Sequence, residues 1–136
     1  MSQQAPRFTF TTDDAGNRLT VIDSTTGLEW TAKPLSEEPF THQGALDSAA
    51  ACRIGGQSDW AIPSRQQLLS IVDLSRYSPA IDTDAFPDFP SAWFWTADLC
   101  AWSPASAWLV YFSYGGVFSS HRDYDGFALA VRRAGQ

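Results

Sequence analysis

The chain has 136 residues, a formal net charge of −6, and 44% apolar against 18% charged residues, which excludes disorder and fits one globular domain. Its nine basic residues are scattered, with only Arg132 and Arg133 adjacent, and this excludes a nucleic-acid partner held by clustered cations. No run approaches the roughly 20 apolar residues of a membrane span, and Met1 to Arg7 lacks the apolar core of a secretion signal, so no membrane insertion and cytoplasmic synthesis are expected.

Residues 1–6 read as a polar tail and 7–136 as a single domain. Arg7 to Thr11 alternates as a strand and turns at Asp14 to Asn17; Leu19 to Asp23 is a second strand, and Ser24 to Gly27 turns the chain into Leu28 to Trp30. Residues 34–39 are loop. A first helix begins near Thr41, runs through Ala45, Ala49, Ala50 and Cys52, and stops at Gly55 and Gly56. His42, at its start, reads as a capping-region or surface residue. A bend at Asp59 and Trp60 leads into a second helix, where Ser64 and Gln67 have capping-box spacing and Leu68, Leu69, Ile71 and Val72 form the apolar face. Asp59 should tie the bend while Trp60 fills the core. That helix ends by Ser75.

A long ordered loop spans residues 76–90, because Ile81, Phe86 and Phe89 need burial among its prolines and acids. The last third is strand-rich: Trp93 to Thr96, Ala107 to Phe112, Gly116 to Ser119, and Phe127 to Arg132. Strands, two helices, a long loop and more strands make an α+β fold with the helices packed on an antiparallel sheet.

Six Trp, nine Phe and four Tyr are many for this length, and they divide between core and binding surface. The run from Ser113 to Phe127 is rich in Tyr, Ser, Gly and Asp, the mixture by which antibody-like surfaces combine rigid rings with adaptable hydrogen bonds. The expected binding face is therefore Tyr111, Tyr114, Phe118, His121, Arg122, Asp123, Tyr124 and Phe127. The same run also reads as an ordinary hairpin with core aromatics.

Catalysis has little to stand on. His42 and His121 are the bases that need no pKa tuning, and neither belongs to a nucleophile signature such as Gly-x-Ser-x-Gly. Cys52 and Cys100 lack metal-ligand spacing and read as buried free thiols, or as a pair that oxidises after release. Asp82, Asp84 and Asp88 could hold Ca²⁺, but they lack EF-hand order, and a solvated acidic loop is the favoured reading. No cofactor or metal is expected.

Several elements occur in an order that resembles a known family: Val21-Ile22-Asp23, Thr26-Gly27-Leu28-Glu29-Trp30, Gly56, Asp59-Trp60-Ala61-Ile62-Pro63-Ser64, Leu68 to Asp73, Pro79-Ala80-Ile81-Asp82, Phe86-Pro87, Trp95-Thr96, Ala107 to Phe112 and Val131-Arg132. The chain is similar in this to the DUF1566 family, the Lcl C-terminal domain, over residues 7 to 133. It departs where the family has tryptophan–arginine–leucine–proline, here Trp60-Ala61-Ile62-Pro63. It departs again at Gln67, at Leu129 in place of the first closing arginine, and in lacking a cysteine near the end.

The resemblance implies a C-type lectin-like fold, related to that of formylglycine-generating enzymes, in a non-catalytic binding module. Relatives occur in adhesins, phage proteins and the variable proteins of diversity-generating retroelements, and their ligands include polysaccharides and proteins. It further implies that Trp108, Val110 and Phe112 face the core with Leu109 and Tyr111 outward, and that the residues after Phe112 hold the ligand. Two functions follow as expectations. One is a phage- or prophage-encoded, virion-associated module that recognises a host surface glycan or protein through the aromatic hairpin. The alternative is a cytoplasmic protein-binding inhibitor of a host enzyme or defence complex.

Overall fold

A computed structural model describes residues 6–134. The polar tail over 1–6, apart from Pro6, and the last two residues of the expected 7–136 domain lie outside the described residues. In chain order the elements are β1 (Phe8–Thr12), β2 (Arg18–Asp23), β3 (Leu28–Thr31), α1 (His42–Ala50), a 3₁₀ turn (Ile54–Gly56), α2 (Arg65–Leu69), β4 (Trp93–Cys100), β5 (Ser103–Tyr111), β6 (Gly116–His121) and β7 (Val131–Arg133).

Short polar side chains shape the first turns. Asp13 Oδ1 accepts the backbone N–H groups of Ala15 and Asn17 at 3.0 and 2.8 Å, which folds β1 back onto β2. Asp23 does the same for Thr25 at 2.9 Å, and Gly27 closes the next turn at φ +74°.

The fold is α+β, but its strands form two antiparallel sheets instead of one. The first has the order β1-β2-β3-β7 and the second β4-β5-β6. The expected last strand, Phe127 to Arg132, is divided between them. Phe127 exchanges backbone bonds with Trp93 and Trp95 of β4, whereas Thr31 N–H donates to Ala130 O at 3.0 Å and Ala61 pairs with Val131. One segment therefore serves two sheets, and only Val131–Arg133 is strand.

Both helices are shorter than the sequence suggests. Thr41 caps α1 by accepting Gly44 N–H at 3.2 Å, but the helix ends at Ala50, not at Gly55. Arg53 ends it by donating to the carbonyls of Ala50 and Cys52, groups that a helix end leaves without intrahelical partners. Ser64 and Gln67 form the complete capping box of α2, in which each side chain accepts the other residue's N–H. Beyond Leu69 the chain continues as turns that keep Ile71 in the core.

Strand β5 has a core on each side. On one face Phe94, Val110 and Phe112 join Trp30, Leu68, Ile81, Phe86 and Phe89. On the other, Trp95, Ala107 and Leu109 join Ala45, Ala49, Trp60, Ala128 and Ala130. Leu109 is therefore 3% exposed, which corrects the outward placement implied by the family pattern. Its cover is the backbone at Gly126, so close that a Cβ there would meet Leu109 Cδ2 at 3.0 Å and Trp95 Nε1 at 2.9 Å. Trp108, expected in the core, is only half-buried, packed against the Arg65 guanidinium and the exposed Trp102.

Asp59 ties its bend as expected, by accepting from Arg132 Nε at 2.6 Å, and Trp60 is buried with its Nε1–H on Ile54 O at 3.0 Å. The same Arg132 reaches Glu29, whose other oxygen accepts from Thr20 Oγ1 at 2.7 Å. This polar chain, buried at Thr20, Glu29 and Arg132 and open to solvent at Asp59, ties β2, β3 and β7 to the bend. Cys52 and Cys100 are both buried free thiols.

Candidate binding face

Register decides which rings meet. Trp93 lies opposite Tyr111, Leu109 opposite Phe118, and Tyr111 opposite Gly116, so these side chains share one face of the second sheet. Trp93 and Tyr111 stack at 4.2 Å and 4°. Phe118 meets Trp93 edge-on at 4.9 Å, and Tyr114 meets Tyr111 at 5.4 Å and Phe118 at 6.2 Å. Gly116 makes the cluster possible, since a Cβ there would lie 2.7 Å from the Tyr114 ring and 2.8 Å from Phe118.

The loop between β6 and β7 crosses the same face and divides it. Gly126 covers Trp95 and Leu109, while Trp93, Tyr111, Tyr114 and Phe118 remain at the solvent edge. Between the rings and the loop lies a cleft of about 330 Å³, walled by Trp93, Phe118, Ser119, Ser120, Tyr124 and Asp125. Tyr124 stands 65% exposed on its rim, 6.4 Å from the His121 ring. Asp123 is exposed and lies 3.4 Å from His121 Nδ1.

Of the residues expected from the sequence, Tyr111, Tyr114, Phe118 and Tyr124 thus come together, with His121 and Asp123 beside Tyr124. Arg122 and Phe127 turn inward. Arg122 Nε donates to His42 Nδ1 at 2.9 Å, and Phe127 packs against the first core cluster. His42 is itself only 1% exposed and not a surface residue, since both ring nitrogens find partners inside. With Nδ1 accepting from Arg122, the ring proton sits on Nε2, which donates to Thr96 O at 2.8 Å. Burial first, and then the Arg122 guanidinium, hold its pKa below the usual imidazole value, against the pull of the Thr96 carbonyl.

The sequence reading missed Trp93, the ring on which the cluster is built. Its signal was the alternation of Trp93 and Trp95 on one face of β4, but the register against β5 was needed to set Trp93 beside Tyr111. In the acidic loop, Asp82 Oδ1 accepts the N–H groups of Asp84 and Ala85, so its carboxylate closes a turn. Among the described residues, no three His, Cys, Asp or Glu side chains are grouped to hold a metal. No helix among them is long and apolar enough to cross a membrane.

A family model described as the Lcl C-terminal domain matches residues 19–132, and the chain belongs to that family. No curated protein matches it.

Proposed function

We propose that this member of the Lcl C-terminal domain family is a non-catalytic binding module that grips its ligand with the face around Trp93, Tyr111, Tyr114, Phe118 and Tyr124. One observation carries the reading: four rings on one solvent-facing surface pack on one another beside an open cleft instead of entering either core. Preassembled rings lose little freedom on binding, and aromatic anchors dominate interface energies. Family membership supports a binding module of the adhesin-like kind. The C-type lectin-like fold, a phage or prophage origin, and a host surface glycan or protein as ligand belong to the same proposal.

His42 is read as a structural residue, since both of its ring nitrogens are occupied inside the fold. The stacking of Trp93 on Tyr111 favours a protein surface among the possible ligands, because each ring already covers a face of the other.

The test incubates the immobilised protein with soluble and envelope fractions of host cells, beside a Tyr114→Ser/Phe118→Ser/Tyr124→Ser variant and a Trp93→Ser variant of unchanged fold. A component held by the native protein and lost with both variants supports this face. An envelope component indicates surface recognition, and a soluble one an intracellular inhibitor. A partner that survives both changes overturns the assignment.

A further inference from the structure

The turn end of the β4–β5 hairpin carries a second group of exposed rings, separate from Trp93 and Tyr111 at its open end. Cys100 pairs with Ser103, which leaves Ala101 and Trp102 as the turn. Trp102 is 74% exposed and meets Trp108 edge to face, at 5.7 Å and 85°. A tryptophan so open to water at a tight turn contributes little to packing. An edge-to-face contact covers at most one face of a ring, so Trp102 keeps an open platform.

Polar groups surround that platform because of a local irregularity. The register of β4 against β5 shifts between Trp95 and Leu99 and again before Cys100. Such bulges re-aim side chains, and here the Asp98 carboxylate turns to the start of α2, where Oδ2 accepts the backbone N–H of Arg65 at 2.5 Å. The Arg65 guanidinium lies over the Trp108 ring at 4.8 Å, and among the described residues no carboxylate forms an ion pair with it. Together Arg65, Gln66, Asp98, Leu99, Trp102 and Trp108 wall a cleft of about 490 Å³. That lies within the roughly 300–1,000 Å³ typical of small-ligand clefts.

We propose that this corner is a second ligand site, which takes a neutral pyranose ring of an oligosaccharide. The C–H face of the sugar stacks on Trp102. Its hydroxyls donate to the Asp98 carboxylate, accept from the Arg65 guanidinium, and do either with the Gln66 amide. One cation and one carboxylate leave the cleft without net charge, which selects a neutral sugar over a uronate or an amine. The Trp93 face differs in kind, since its rings are spent on each other while Trp102 offers a free one.

The test records the indole Nε1–H resonances of the six tryptophans, assigned by single Trp→Phe variants, during titration with neutral hexasaccharides. Glucose, mannose, galactose and N-acetylglucosamine polymers are each taken to about 10 mM, far enough to register millimolar binding. At least one should shift the Trp102 and Trp108 signals and leave Trp93 in place. Trp102→Ala should weaken that binding at least about tenfold with an unchanged melting temperature, and Gln66→Ala should weaken it less. The proposal is overturned if no sugar moves Trp102, if the shifts fall on Trp93, or if Trp102→Ala binds as well as the native protein. Because the readout separates Trp102 from Trp93, failure here leaves the ring-cluster face standing.

Discussion

Two buried polar contacts show how single residues set the behaviour of this protein. His42 holds Thr96 with one nitrogen and Arg122 with the other, and its folded pKa lies below the ordinary 6.5. On acidification the unfolded chain therefore takes up a proton at this position before the folded one does. Stability should fall as pH drops through about 6.5, and the His42 contribution should level off once the folded form is protonated too. Thermal melts from pH 8 to 5 should show this slope, and His42→Gln should flatten it. A slope that persists in His42→Gln would assign it to another group. Arg132 makes the second case, because its removal strands the buried Glu29 carboxylate. Arg132→Met should cost about 3–5 kcal/mol, and adding Glu29→Leu should restore part of it, since two apolar residues need no partner. If the double variant melts below the single one, the Arg132–Glu29 pair is not where the energy lies.

At the scale of elements, boundaries follow from a few side chains. Ser64→Ala removes the cap of a five-residue helix and should cost about 1 kcal/mol, read as a midpoint shift in urea at unchanged m-value. Gly115 marks the turn from β5 to β6 with φ +87°, and a Cβ there would lie 2.7 Å from Val72 Cγ1 and 3.1 Å from Leu74 Cδ2. Gly27 has a similar φ of +74° with nothing within 4 Å. Gly115→Ala should therefore destabilise by more than Gly27→Ala, which costs about 1–2 kcal/mol for backbone conformation alone. Equal losses would mean that the Val72 contact yields freely. Such turn and cap chemistry is legible in a sequence because it is local. The Asp14 to Asn17 turn, the capping box and the opening meander could be read directly for that reason. The hairpin between residues 97 and 106 could not, as its alanines, serines and proline carry no alternating apolar signal. The binding face was half legible. Tyr114 and Phe118 announce themselves by composition, but Trp93 joins them only through register, and Arg122 and Phe127 turn inward toward contacts on distant elements.

Across the whole molecule, the segment from Gly126 to Val131 joins what would otherwise be two separate sheets. Phe40 and Gly126 exchange backbone bonds, and Phe127 bonds Trp93 and Trp95 on β4. Leu35 N–H then donates to Ala128 O, Thr31 N–H to Ala130 O, and Ala61 pairs with Val131. Ala128 and Ala130 are fully buried, and their small side chains let this backbone pass between Trp95 and Leu109 on one side and β3 on the other. Neither sheet can lose this segment alone, so both should unfold in one transition. Ala128→Leu tests the coupling, because the added methylenes have no room and should cost about 1–3 kcal/mol. Hydrogen exchange in this variant should accelerate by the same factor at the amides of β3 and β4, which belong to different sheets. If only β4 accelerated, the sheets would be independent units and the segment a passive connection. Such coupling also bears on recognition. Trp93 is held by the same Phe127 bond that anchors the segment, so the exposed rings stand on backbone tied to both sheets and should stay ordered without ligand.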